Sequence, residues 1–200
     1  MARDLYKRAL GLAYFTVFYN VVEGTVSVLA GSLAGSIALV GFGLDSFIES
    51  LSGCVLVWRL RKHGRTSADQ EERIEARAVR LVGITFFILA ADVGYESAKK
   101  LVLREAAAPS LLGIIIAAVS IAVMTPLFYA KYHTGRALGS RSVVADSRET
   151  LACMFLSVVL LLGVGANYLF AAWWADPLAG LVIALYLARE GWETIRGDED

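Results

Sequence analysis

Histidine, proline and cysteine are nearly missing from this chain of 200 residues, with two, three and two copies. Two cysteines, Cys54 and Cys153, both inside apolar runs, exclude a disulfide framework, so each thiol needs its own explanation. Net charge is also missing: 19 basic residues balance 19 acidic ones, which removes any strong electrostatic pull toward nucleic acid. There is no nucleophile elbow, no His-rich catalytic motif and no phosphate-binding glycine loop, so an enzyme is not expected. A basic start precedes an apolar run, as in a signal peptide. No cleavage site follows, and the first run reads as a retained span.

What the chain has in excess is apolar sequence. Hydrophobic residues make up 57% of it and its mean hydropathy is +0.60. A soluble domain is nearer 45–50% apolar, and here the excess falls in long runs. A helix needs about 20 mostly apolar residues to cross a bilayer. Six stretches qualify: roughly 10–30, 36–58, 79–103, 110–130, 143–167 and 172–189. The expected fold is therefore all-α, one transmembrane domain of six helices over residues 1–200.

Basic residues set the orientation. Arg3, Lys7 and Arg8 precede the first stretch. Arg59, Arg61, Lys62 and Arg65 follow the second, and Lys131, Arg136 and Arg141 separate the fourth from the fifth. These breaks alternate, which puts all of them and both termini in the cytoplasm. Lys99, Lys100 and Arg104 fall on the opposite side and can snorkel. The segment 68–81 reads as an amphipathic helical entry into the third span. Only residues 190–200 follow the sixth stretch, too few for a soluble C-terminal domain.

Ionisable groups inside a membrane cost about 2.5 kcal/mol or more each on insertion scales, so their presence points to function. Asp45 and Glu49 lie in the second stretch; Glu149 and Cys153 lie in the fifth. Each pair is spaced i, i+4 and shares one helix face. Glu49 precedes Arg59 by ten residues, and Cys153 follows Arg141 by twelve. At 1.5 Å per residue they stand about 15 and 18 Å from one edge, so contact between the two helices would bring the four side chains to compatible heights. Carboxylates with a thiolate suit a four-coordinate zinc ion. The sulfur favours zinc or cadmium over manganese or magnesium. Metal binding displaces protons from such ligands.

Other polar groups have local explanations beside functional ones. Asp146 is either a gateway carboxylate or a partner of Arg141 or Arg148. Asp92 and Glu23 are candidates for lining the path or carrying protons. Glu96 has Lys99 and Lys100 within one turn, Asp176 stands at a helix start before Pro177 and reads as a cap, and Cys54 reads as packing. Gly31, Gly35, Gly43 and Gly53 read as close-packing positions.

At these residues the chain resembles the cation diffusion facilitator family of divalent-metal transporters. SIALVGFGLDSFIESLSG is similar to the family's second helix, in which an acidic pair supplies two ligands, matched here by Asp45 and Glu49. VVADSRETLACMFLS is similar to the fifth helix. Aligned on Ala145 and Asp146, Glu149 takes a position usually held by His, and Cys153 one usually held by Asp; a competing register uses Asp146 and Thr150. WWADPLAGLVIALYLAREGWETIR is similar to the sixth helix. The His-rich loop common in zinc-selecting members is absent, with only His63 nearby, and the chain looks like a short branch that keeps only the membrane part.

The resemblance implies an integral multi-pass protein of the cell (inner) membrane. It would act as a homodimer joined through its membrane helices, plausible contact lying on the third. It implies export of a divalent metal in exchange for protons, zinc first, with Cd2+, Co2+, Fe2+ and Mn2+ as alternatives. Two rival readings are a proton-coupled organic-cation exporter and a non-transporting membrane zinc-binding protein.

Overall fold

The computed structural model describes the backbone of residues 2–62 and 68–196, and their side chains except at 2, 3, 62, 68–83, 85, 141 and 194. His63, Arg65 and the side chains of the amphipathic segment 68–81 lie outside the described residues. Six helices follow the six apolar stretches: α1 (Ala2–Ala34), α2 (Ile37–Lys62), α3 (Ala68–Leu103), α4 (Leu111–Leu138), α5 (Arg141–Phe170) and α6 (Ala175–Arg196). The helices overrun the apolar stretches because polar ends outside hydrocarbon still satisfy their backbone groups by helical bonding.

Two helix ends show how tightly the hairpins turn. Gly35, at φ +63°, follows α1, and the Ser36 amide reaches back to the Gly31 carbonyl at 2.9 Å. Gly139, at φ +62°, ends α4 in the same way, with Ser140 N donating to Gly135 O at 3.0 Å. Left-handed backbone is where glycine is the low-cost residue. Only Gly139 and Ser140 then separate α4 from α5.

The helices pack mainly as three pairs, α1 on α2, α4 on α5 and α3 on α6. α2 is central and also touches α3, α5 and α6. The α1–α2 crossing depends on small residues. A Cβ at Gly43 would stand 2.8 Å from Ser27 Cβ and 2.9 Å from the Gly24 carbonyl oxygen, and one at Gly31 would meet the Val40 amide at 2.8 Å. Gly53 is packed equally closely on Val17, whereas Gly35 serves the turn.

The distribution of polarity fits lipid outside rather than water. Phe18, Leu33, Ile88, Leu162 and Leu185 are exposed, while Thr16, Asn20, Asp45, Glu49, Lys131 and Thr150 are buried. An apolar exterior over a polar interior is what a bilayer selects. Four helices are long and apolar enough to cross a membrane, over Asp4–Ala34, Ile37–Arg61, Leu111–Leu138 and Ser142–Phe170. Among the described residues α3 and α6 fall short of that measure. On α6 the charges Asp176, Arg189, Glu190 and Glu193 explain it, whereas the side chains of α3 are described only at Ile84 and from Phe86 on, the part that holds Asp92, Glu96, Lys99 and Lys100.

Asp176 does not simply cap its own helix. Its carboxylate accepts from the Ser36 hydroxyl and, at 3.0 Å, from the Ile37 amide, so it ties α6 to the first turn of α2. Ser36 also accepts from Leu39 N at 3.1 Å. Lys99 pairs with Glu96 at 3.2 Å, as the spacing suggests, and Lys100 donates to the Gly35 carbonyl at 2.5 Å. Cys54, expected to pack, is instead exposed on the outer face of α2, one turn from the buried Ser50. Both cysteines are free thiols.

Candidate metal site

α2 and α5 touch where their acidic faces lie. The Ser52 hydroxyl donates to Glu149 Oε1 at 2.8 Å, and Thr150 donates to Glu49 Oε1 at 3.3 Å. Asp45 and Glu49 are each 7% exposed, and Cys153 is 2% exposed. The i, i+4 spacing on each helix thus lays both carboxylate-bearing faces against one interface.

The site is short of hydrogen-bond donors. Glu49 Oε2, Glu149 Oε2 and Asp146 Oδ1 are buried without a hydrogen-bond partner. The Cys153 thiol lies beside Glu49, and so does Asn20 of α1, whose side-chain amide makes no hydrogen bond of its own. Asp45 sits among the negative charges of Glu49, Glu190 of α6 and Glu23 of α1. Buried polar atoms are normally paired, so three carboxylate oxygens left over in one region are an exception that needs a physical reason. Among the described residues, no three Asp, Glu, Cys or His groups close around a common point in this conformation.

Glu23 reaches the same region from α1. It accepts from Tyr19 at 3.0 Å and from Ser46, the neighbour of Asp45, at 3.1 Å. The close Gly24–Gly43 crossing is what lets it reach α2. Asp92 stands apart from these carboxylates, exposed on the outer side of α3.

Among the described residues Asp146 pairs with Lys131 and not with Arg148; the side chain of Arg141 lies outside them. Lys131 Nζ lies 2.8 Å from Asp146 Oδ2 and donates to Thr150 Oγ1, also at 2.8 Å. Lys131 is 1% exposed. It therefore does not belong to the cytoplasmic connection in which its basic character suggested it. α4 runs seven residues past it, about 10 Å of helix. Lys131 thus gives the acidic region a fixed cation. Sequence reasoning missed Lys131 and Glu190. The signal for Lys131 was available in Gly139, the C-terminal stop that marks where α4 ends.

A polar, carboxylate-rich interior among helices with an apolar exterior defines an integral multi-pass membrane protein. Residues 13–197 match the cation efflux transmembrane domain. The chain belongs to this family, the cation diffusion facilitators. It is 25% identical over 194 residues to an uncharacterised transporter, sll1263, of Synechocystis, covering 94% of this chain and 62% of that protein. It is 25% identical over 185 residues to the magnetosome protein MamB of Magnetospira, covering 90% and 62%. A cation-efflux pump, FieF, of Shewanella oneidensis is 23% identical over 179 residues, covering 84% and 58%. The chain thus spans about three-fifths of the length of these relatives.

Proposed function

We propose that the chain moves a divalent metal cation, zinc first among them, out of the cytoplasm in exchange for protons. Asp45, Glu49, Glu149 and Cys153 are its ligands. The observation that carries this reading is the pair of unpartnered buried oxygens, Glu49 Oε2 on α2 and Glu149 Oε2 on α5, flanking the contact between those helices. Two ionised carboxylates there repel each other at low dielectric and are stabilised by a shared dication or by protons. One group of residues thus accepts either cargo, which is the elementary requirement for antiport.

The thiol of Cys153 directs the choice of ion toward zinc or cadmium, with cobalt, iron and manganese following as the oxygen ligands carry more of the affinity. Asp146 and Glu23 flank the site on α5 and α1 and serve as proton or metal way-stations. The basic ends Arg59, Arg61 and Arg136 put both termini in the cytoplasm.

A homodimer through α3 completes the assembly. Ile84, Ile88, Tyr95 and Val102 are exposed along α3, and Asp92 stands on the same helix. A carboxylate facing lipid tails is costly, and a second copy of the helix would shield it. The organic-cation alternative has one observation in its favour, a groove of about 260 Å³ lined by Tyr19, Glu23, Ile116 and Val119.

The test is zinc flux in reconstituted vesicles under an imposed pH gradient. Flux that accelerates with protons on the opposite side supports the exchange. Flux indifferent to the gradient removes it, and flux of an organic cation that survives Cys153→Ser unchanged favours the alternative.

A further inference from the structure

Lys131 is the one buried lysine described inside this bundle, and it lies at the edge of the acidic interface rather than within it. Its ammonium has two partners on α5: Asp146 Oδ2 at 2.8 Å and Thr150 Oγ1 at 2.8 Å. Because Thr150 accepts from Lys131, its single hydroxyl proton is left to donate, and it is shared between the Asp146 backbone carbonyl at 3.2 Å and Glu49 Oε1 at 3.3 Å. The chain Lys131–Thr150–Glu49 therefore joins α4, α5 and α2 in one polarised line. The charges that face Lys131 are Asp146, Glu49 and Glu149. Two of these three are the proposed ligands.

A lysine stem is long and flexible, and its ammonium is a compact point charge that can change partners. Asp146 alone can hold it, because the ion pair does not depend on Thr150. An incoming dication at Glu49 and Glu149 would repel the ammonium across a low-dielectric interior.

We propose that Lys131 is a tethered counter-cation of the site, which bridges Asp146 and Thr150 when the acidic interface is empty and retreats onto Asp146 alone when a divalent cation occupies Glu49 and Glu149. The inference rests on the reading of those two residues as ligands. Its consequence is that the protein lowers its own affinity for metal. The ion is held loosely enough to leave, and after departure the ammonium returns to its bridge between Asp146 and Thr150. A purely structural lysine would have the opposite effect, since its loss would disorder the site and weaken binding.

The experiment is zinc titration of the purified chain in detergent, followed calorimetrically, for wild type, Lys131→Met, Thr150→Val and Glu149→Gln. Removing the neighbouring positive charge in Lys131→Met is expected to tighten zinc binding by about tenfold or more. Thr150→Val keeps the side-chain shape and the Lys131–Asp146 pair but cuts the link to Glu49, and is expected to tighten binding by a few fold. If Lys131→Met fails to fold with Asp146 left alone, Thr150→Val decides. Equal or weaker zinc binding by the folded variants overturns the proposal. The Glu149→Gln control separates the two failures. If it abolishes binding while the Lys131 and Thr150 variants bind like wild type, only the counter-cation role falls. If it leaves zinc binding intact, or if the wild type binds none, the ligand assignment falls and takes this proposal with it.

Discussion

Glu49→Gln separates function from folding more cleanly than any other single change in this bundle. Glu49 is 7% exposed, Oε1 accepts from Thr150 at 3.3 Å, and Oε2 is buried without a partner. Glutamine keeps the shape and the carbonyl oxygen that Thr150 can donate to, but loses the charge. Replacing even an outer partner of a metal ligand costs about 10–100-fold in affinity, so loss of charge on a direct ligand should cost at least a hundredfold. That is about 2.8 kcal/mol at 1.4 kcal/mol per decade. Stability should move the other way. A buried carboxylate with an unsatisfied oxygen carries a desolvation penalty of several kcal/mol, and a neutral amide relieves most of it. Glu49→Gln should therefore melt in detergent at the wild-type temperature or above it, while zinc binding and vesicle transport collapse. Calorimetric titration beside thermal unfolding reads both. A variant that retains zinc affinity within threefold refutes the ligand role, and one that loses affinity only because it unfolds refutes the separation of function from folding.

Other changes test other parts of the structure. Cys153→Ser should reduce the preference for cadmium over zinc by about tenfold, measured by competition, because the thiolate is the soft ligand of the set. Asp176→Ala removes charged hydrogen bonds to Ser36 and Ile37 N, and should cost about 2–4 kcal/mol of stability in a detergent unfolding assay without changing zinc affinity in the folded fraction. Gly43→Ala forces a methyl to within 2.9 Å of the Gly24 carbonyl oxygen and should cost about 1–3 kcal/mol by parting α1 from α2. Zinc affinity should rise with pH, since metal and protons compete for the same carboxylates and only the deprotonated forms bind metal. An affinity flat between pH 6 and 8, a range of about two units chosen to span ordinary exchange conditions, would contradict shared occupancy.

The helices and the matching heights of the acidic faces on α2 and α5 were legible because both follow from local rules, whereas the contact between the two helices is non-local and was only a condition of that reading. Long apolar runs fix helices in lipid, and i, i+4 spacing fixes which side chains share a face. The counting of residues from Arg59 and Arg141 set Glu49 and Cys153 at similar heights, and the helices do meet there. Lys131 was missed by the same counting, because a lone lysine after an apolar run looks like the first residue of a loop unless the stop at Gly139 is used to carry α4 past it. Its partners, Asp146 and Thr150, come from the next helix. Asp176 misled for a related reason: Asp before Pro is a sufficient signal for a local cap, and nothing local shows that Ser36, 140 residues earlier, takes the carboxylate. Cys54 failed by rotation, as one position off the acidic face was enough to turn it outward.

Zinc K-edge absorption together with anomalous diffraction from zinc-loaded protein shows most directly whether a metal ion sits between α2 and α5. An anomalous peak between Glu49 and Cys153, with one sulfur neighbour at about 2.3 Å and the remaining ligands oxygen at about 2.0–2.2 Å, is the expected result. A peak confined to His63, His133 or the exposed Cys54, with none at the α2–α5 interface, would contradict it.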